Sequence, residues 1–152
     1  MCIIIDNDVV HQVLLKPDDV KYAELRAAIL HAAVADVRMV YGGHLRVEYF
    51  RSRRLRRLLV TLDRAGRANA VSDSAVDSRE ASIRASTLKC RSNDVHVIAL
   101  AQVSGVRLLC SEDGALHDDF RNPRLLNKPR GKVYRARRGH RQLLLAQCGP
   151  GV

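Results

Sequence analysis

The chain has 152 residues, of which 47% are hydrophobic but only 4% aromatic, with no tryptophan. That length suits one domain with a substantial core, and the core has to be aliphatic, which excludes an aromatic-rich β-sandwich and favours an α/β class. The net charge of +10, from 26 basic against 16 acidic residues, favours a polyanionic partner such as nucleic acid over a merely solvated basic surface.

Cysteines at positions 2, 90, 110 and 148 show neither C-x-x-C spacing nor zinc-ligand spacing to a histidine, so they read as buried or free thiols. The first residues lack the basic start of a signal peptide, and no apolar run approaches the ~20 residues that span a bilayer. A cytoplasmic protein without a membrane partner is the expectation.

Residues 2–5 (CIII) form an unbroken apolar run that ends at Asp6-Asn7-Asp8, the pattern of a central strand buried on both faces. Residues 9–15 predict a short helix stopped before Pro17. Asp18-Asp19 is placed to cap a second helix through about Ala33, with Tyr22, Leu25, Ile29 and Ala33 at helical spacing. Residues 36–41 predict a strand, and Gly42-Gly43 a turn.

Residues 44–65 read as one helix. Leu45, Ser52, Leu55, Leu59 and Leu62 fall on one face and Arg46, Arg53 and Arg57 on another. Glu48 lies within the leucine face, and a carboxylate aimed at a core is paired, metal-bound or catalytic. Gly42-Gly43 lacks the further glycines and lysine of a phosphate loop. A weak strand near Ala70-Val71 precedes a helix from Asp73 or Ser74.

In residues 92–120, Asn93 and Asp94 open an apolar helix that Ser104-Gly105 stops. Residues 106–110 then form a strand that empties into Ser111-Glu112-Asp113-Gly114. From residue 121 to 141 there are nine Lys or Arg and no acid, around an edge strand at residues 131–134. Residues 142–146 predict a short docked helix. One domain over residues 1–148 with a flexible end at 149–152 is expected.

Asp6 and Asp113 each follow a predicted strand, Asp94 starts a helix, and Glu48 projects inward from another. On neighbouring parallel strands these carboxylates converge on one sheet edge, where ligands of open α/β sheets bind. Their repulsion calls for protons or hard divalent cations, and oxygen-ligated Mg²⁺ or Mn²⁺ can activate water at a phosphodiester. Each acid also has a plain structural reading. Asp94 favours a helix dipole, Asp6 and Asp113 suit turns or caps, and Glu48 could pair with Arg38 or Arg91. No Ser-His-Asp order suggests a nucleophile triad. His96 reads as a packing or polar surface residue that points away from Asp94, and His117 as a weak candidate for substrate contact. Arg46, Arg53, Arg57, Arg130 and Lys132 are the candidate RNA contacts, through phosphate charge.

The order IIID at residues 3–6, GGHLRVE at 42–48, SNDVHVIALA at 92–101 and LLCSEDGALHDDF at 108–120 resembles the PIN-domain family. The tail KPRGKVY at 128–134 with its following leucine run extends the similarity over nearly the whole chain. The resemblance implies a three-layer α/β/α sandwich on a mostly parallel sheet and Mg²⁺- or Mn²⁺-dependent endoribonuclease activity. It matches Asp6, Glu48, Asp94 and Asp113 to an acidic metal-binding and catalytic quartet, with Ser111 at a small hydroxyl position that contacts the nucleic acid. Many small members are toxins of toxin–antitoxin pairs, often dimers, inhibited by an antitoxin protein. Asp8 departs from the family pattern, and it motivates the alternative of a catalytically silent RNA- or protein-binding module. A housekeeping RNA-processing nuclease is the other alternative.

Overall fold

The computed structural model describes residues 1–31, 36–137 and 139–145. Five strands form one sheet in the order β3-β2-β1-β4-β5: β1 Cys2–Ile5, β2 Arg38–Tyr41, β3 Ala68–Ala70, β4 Leu108–Cys110 and β5 Lys132–Tyr134. Every neighbouring pair is parallel, so each connection has to cross over, and the helices do this. They are α1 Asn7–Leu15, α2 Ala23–Leu30, α3 Gly43–Phe50, α4 Arg53–Arg64, α5 Asp73–Ala85, α6 Val95–Ser104 and α7 Gly114–Arg121, followed by a 3₁₀ helix at His140–Leu144. The architecture is the expected three-layer α/β/α sandwich.

Helices on both faces leave the central strand no solvent side. Ile3, Ile4 and Ile5 of β1 are fully buried, which is why the run is apolar without alternation. Helix α6 is enclosed in the same way, with every residue from Val95 to Ala101 buried, as suits a helix that is apolar all round. It ends where Gly105 adopts a left-handed conformation (φ 74°), as a C-terminal glycine does at little steric cost. The outer helices are one-sided: α4 buries Leu55, Leu59 and Leu62.

Three expected elements differ. The helix predicted over residues 44–65 is broken at Ser52, which is extended (φ −93°, ψ 114°) and accepts a hydrogen bond from Leu55 N–H at 3.3 Å. A serine side chain that caps a new helix competes with continuation of the old one. Arg46 therefore sits on α3 and Arg53 and Arg57 on α4, with no shared stripe. The second helix begins at Ala23, because Asp19 is engaged in a turn, accepting from Lys21 N–H at 2.9 Å and from Gln12 Nε2 at 2.7 Å. That helix ends at Leu30, and Ala33 lies outside the described residues. The second strand starts at Arg38.

The cysteine reading also needs correction. Cys2 is disulfide-bonded, whereas Cys90 and Cys110 are free; Cys148 lies outside the described residues. Spacing along the chain carries no information about a bridge between distant residues. The docked C-terminal helix is present as the 3₁₀ helix, which buries Leu144, while the end expected at 149–152 lies outside the described residues. Among the described residues, no helix is long and apolar enough to cross a membrane.

The helix that carries Glu48 is anchored through its first residue. Gly43 has φ +55°, and its N–H donates to Asp73 Oδ1 at 2.8 Å; Arg46 Nη1 meets the other carboxylate oxygen at 3.1 Å. A Cβ at Gly43 would fall 2.6 Å from Val76 Cγ1. Left-handed backbone and overlap both penalise a side chain here, so Gly43→Ala is expected to lower the unfolding free energy by about 2–4 kcal/mol. Urea denaturation measures this, and an unchanged midpoint would contradict the packing described.

Candidate active site

The direction in which strands are added to the sheet reverses between β1 and β4. From β1 the chain builds outward through β2 and β3, then returns to place β4 and β5 on the other side of β1. Crevices at such switch points, beyond the carboxyl ends of the strands, are where open α/β sheets bind ligands. Asp6 follows β1 at this point and Ser111 follows β4.

Asp6 is buried, at 5% exposure. Its N–H donates to Cys110 O at 2.8 Å, tying it to the end of β4. One carboxylate oxygen caps α1 by accepting from Asn7 N–H at 2.7 Å, and the other accepts from Ser111 Oγ at 2.7 Å. Burial pushes its pKa up to about 7, against the Ser111 and Asn7 hydrogen bonds and with help from the charges of Asp8 and Asp94. The carboxylate is thus held in place, yet its charge is poorly accommodated.

Asp113 caps α7, its Oδ1 accepting from Ala115 N–H at 2.8 Å and Leu116 N–H at 3.3 Å, while its own N–H donates to Ser111 Oγ at 3.0 Å. The cap reading applies to Asp6 and Asp113 alike, and in both it coexists with a place at the sheet edge. Asp8 joins the same edge: its Oδ2 accepts from Glu112 N–H at 3.1 Å. Its pKa is raised by partial burial, together with the charges of Glu112 and Asp113. Glu112 itself is taken up by Lys21 Nζ at 2.5 Å and by the Tyr22 hydroxyl. Asp118 pairs with Arg91 at the surface, at 2.7 Å.

Asp94 occupies the N-cap position of α6 without making a side-chain cap hydrogen bond. Its charge bears on Asp6 instead. The turn that presents it is fixed by a residue sequence reasoning missed: Asp119 of α7 is buried and accepts from Arg91 N–H and Ser92 N–H, both at 2.8 Å. The only signal in the sequence was a second acid beside Asp118, and nothing local distinguishes the two.

Glu48 is half-buried on α3 and turned toward two histidines, His44 Nε2 at 3.9 Å and His96 Nε2 at 3.3 Å. Of the two expectations for His96, packing or polar surface, the structure shows the first, since the residue is buried at 5% exposure, and it adds the approach to Glu48. Its helix is enclosed, so a side chain that points away from Asp94 still points into the protein. The geometry leaves both Glu48 Oε2 and His96 Nε2 buried without a hydrogen-bond partner among the described residues. Neither Arg38 nor Arg91 pairs with Glu48.

Among the described residues, no three His, Cys, Asp or Glu side chains are gathered tightly enough to hold a metal ion as they stand. The donor set nevertheless fits a hard cation. Asp6 is destabilised as an anion, Asp94 makes no cap bond, and Asn7 Oδ1 and Glu48 Oε2 are buried oxygens with no hydrogen-bond partner among the described residues. All of these are oxygen donors of the kind that Mg²⁺ and Mn²⁺ prefer.

The basic candidates divide. Arg46 is drawn into the pair with Asp73 and lies over the Phe50 ring at 5.3 Å, while Arg53 and Arg57 are exposed on α4. Lys132 pairs in register with Leu108, and Tyr134 with Cys110. Lys132 and Arg130 therefore stand at the amino end of β5, and among the described residues Arg135 and Arg137 follow its acidic end.

The folded protein retains the Asp6 proton up to about pH 7, whereas an unfolded chain loses it near pH 4. Between those limits the native state binds more protons, so stability falls as pH rises. Asp6→Asn is expected to flatten this slope in metal-free buffer and to exceed wild type above pH 7 by on the order of 2 kcal/mol. Urea unfolding with EDTA at pH 5 to 8 tests it, and parallel slopes for the two proteins would contradict it.

Comparison with known proteins gives no match: no family model, no curated protein and no solved structure is similar to the chain.

Proposed function

We propose that the acidic edge is the active site of a metal-dependent endoribonuclease that hydrolyses RNA phosphodiester bonds. The observation that carries the reading is Asp6, a buried carboxylate at the switch point whose charge is disfavoured by burial and by Asp8 and Asp94. A protein keeps such a crowd of acids only where something offsets it. The net charge of +10 suits a polyanionic substrate, and the motif order resembling PIN domains supplies the reaction class.

In this reading Asp6, Asp94 and Asp113 would hold Mg²⁺ or Mn²⁺, with Glu48 completing the set or orienting the attacking water. When bound, the cation would lower the pKa of a water and offset charge on the phosphate. Ser111 holds the Asp6 carboxylate in one orientation through its hydroxyl. Asp119 keeps the turn before Asp94 rigid. Water adds to phosphorus as the bond to the leaving ribose oxygen breaks, and a proton ends on that oxygen.

The biology that the resemblance favours is the toxin of a toxin–antitoxin pair, with an antitoxin protein that covers the acidic edge. Asp94 carries the simplest test, since its side chain caps nothing and its loss spares the helix. Asp94→Asn is expected to reduce Mn²⁺-dependent cleavage of single-stranded RNA on the order of 100-fold, the scale of one charge-stabilising group, with an unfolding midpoint no lower than that of wild type. Equal cleavage by the two proteins would overturn the assignment.

A further inference from the structure

Beside the acids the same edge opens into a hollow of about 330 Å³, large enough for a small ligand. Its charged lining comes from Lys21, Glu112, Arg135 and Arg137, and Ser111 forms the wall it shares with the acidic site. Glu112 is matched there by Lys21 and the Tyr22 hydroxyl. Among the described residues that line the hollow, Arg135 and Arg137 are left as the surplus charge.

Arg135 is held rather than loose. Its Nη2 lies 3.2 Å from His117 Nδ1, and His117 Nε2 lies 2.7 Å from Ser111 O. Because a carbonyl only accepts, His117 carries its proton on Nε2 and offers Nδ1 to the guanidinium. Arg135 is thus tied through His117 to the main-chain carbonyl of Ser111, the residue whose hydroxyl separately holds Asp6. Arg135 Nε is buried with no partner among the described residues. That atom is closed off from the hollow, so a phosphate there would meet the other N–H groups of the guanidinium, as donors to its oxygens.

We propose that this hollow binds a phosphate of the RNA strand, the neighbour of the one at the acidic edge, with Arg135 as a charged donor held in place and Arg137 as a second cation. The inference rests on the nuclease reading for its substrate, but binding needs no metal and no cleavage. Its role is to hold the strand so that the adjacent phosphate lies over Asp6.

Fluorescence anisotropy of a labelled single-stranded RNA octamer in EDTA tests it on wild type, Arg135→Gln, Arg137→Gln and Asp94→Asn, with calorimetry against inorganic phosphate as a second arm. Arg135→Gln is expected to weaken RNA binding roughly 5- to 10-fold, the loss of about one charged hydrogen bond. Arg137→Gln, at an exposed position, is expected to act in the same direction, and Asp94→Asn to bind no more weakly than wild type. Wild-type affinity in both arginine variants would overturn the proposal, as would a loss confined to inorganic phosphate with RNA binding intact. RNA binding that depends on Arg135 in a wild-type protein that fails to cleave would sink the nuclease reading and leave this site standing; cleavage by Mn²⁺-loaded wild type with Arg135-independent binding would do the reverse.

Discussion

A carboxylate withdrawn from water at the end of the central strand sets the conditions for the groups around it. Asp6 cannot move out, because its N–H belongs to β4, one oxygen caps α1 and the other takes the Ser111 hydroxyl. Two like charges, those of Asp8 and Asp94, also act on it. A group fixed so firmly in a place where its charge is unfavourable is a local cost that the rest of the fold has to carry. The aliphatic sheet and the enclosed α6 carry it. Strain of this kind is common where an edge is built to receive a ligand.

The supports come from distant parts of the chain. The turn before Asp94 rests on Asp119 of α7, and α7 is itself started by Asp113. Glu48 arrives on α3, which Gly43 locks against α5 through Asp73. Loosening any one of these contacts would displace an acid without altering it. The basic groups are distributed by the same topology: parallel pairing of β5 with β4 sends Arg135 and Arg137 toward the acids and leaves Lys132 at the strand's opposite end.

Much of this was legible in the sequence where local chemistry decides. The run at residues 2–5 could only be a strand buried on both faces, and the apolar stretch after Asp94 a buried helix. The acids at strand ends and helix starts followed from those elements. What could not be read depends on contacts across the chain. Periodicity over residues 44–65 suggested one helix, but the Ser52 hydroxyl formed a cap there and split it. His96 looked remote from the acids because helical spacing relates it to Asp94 and says nothing of Glu48 on another helix. Asp119 and Asp118 are neighbours of identical chemistry, and only packing buries the first and leaves the second on the surface with Arg91. Arg130 and Lys132 were as plausible as Arg135 until the register of a three-residue strand was known. The Cys2 disulfide likewise has no signature in spacing.

On the proposed reading, a divalent cation offsets the crowded carboxylates around Asp6. Thermal melting of the wild-type protein at pH 8, with EDTA and then with excess Mn²⁺, addresses it without requiring any substrate. A cation that binds the native acids raises the melting temperature by linkage, by about 2.7 kcal/mol of stability at one hundred times the dissociation constant, and the rise should vanish in Asp6→Asn. Melting that is indifferent to Mn²⁺ in wild type, or that rises equally in Asp6→Asn, would contradict the account.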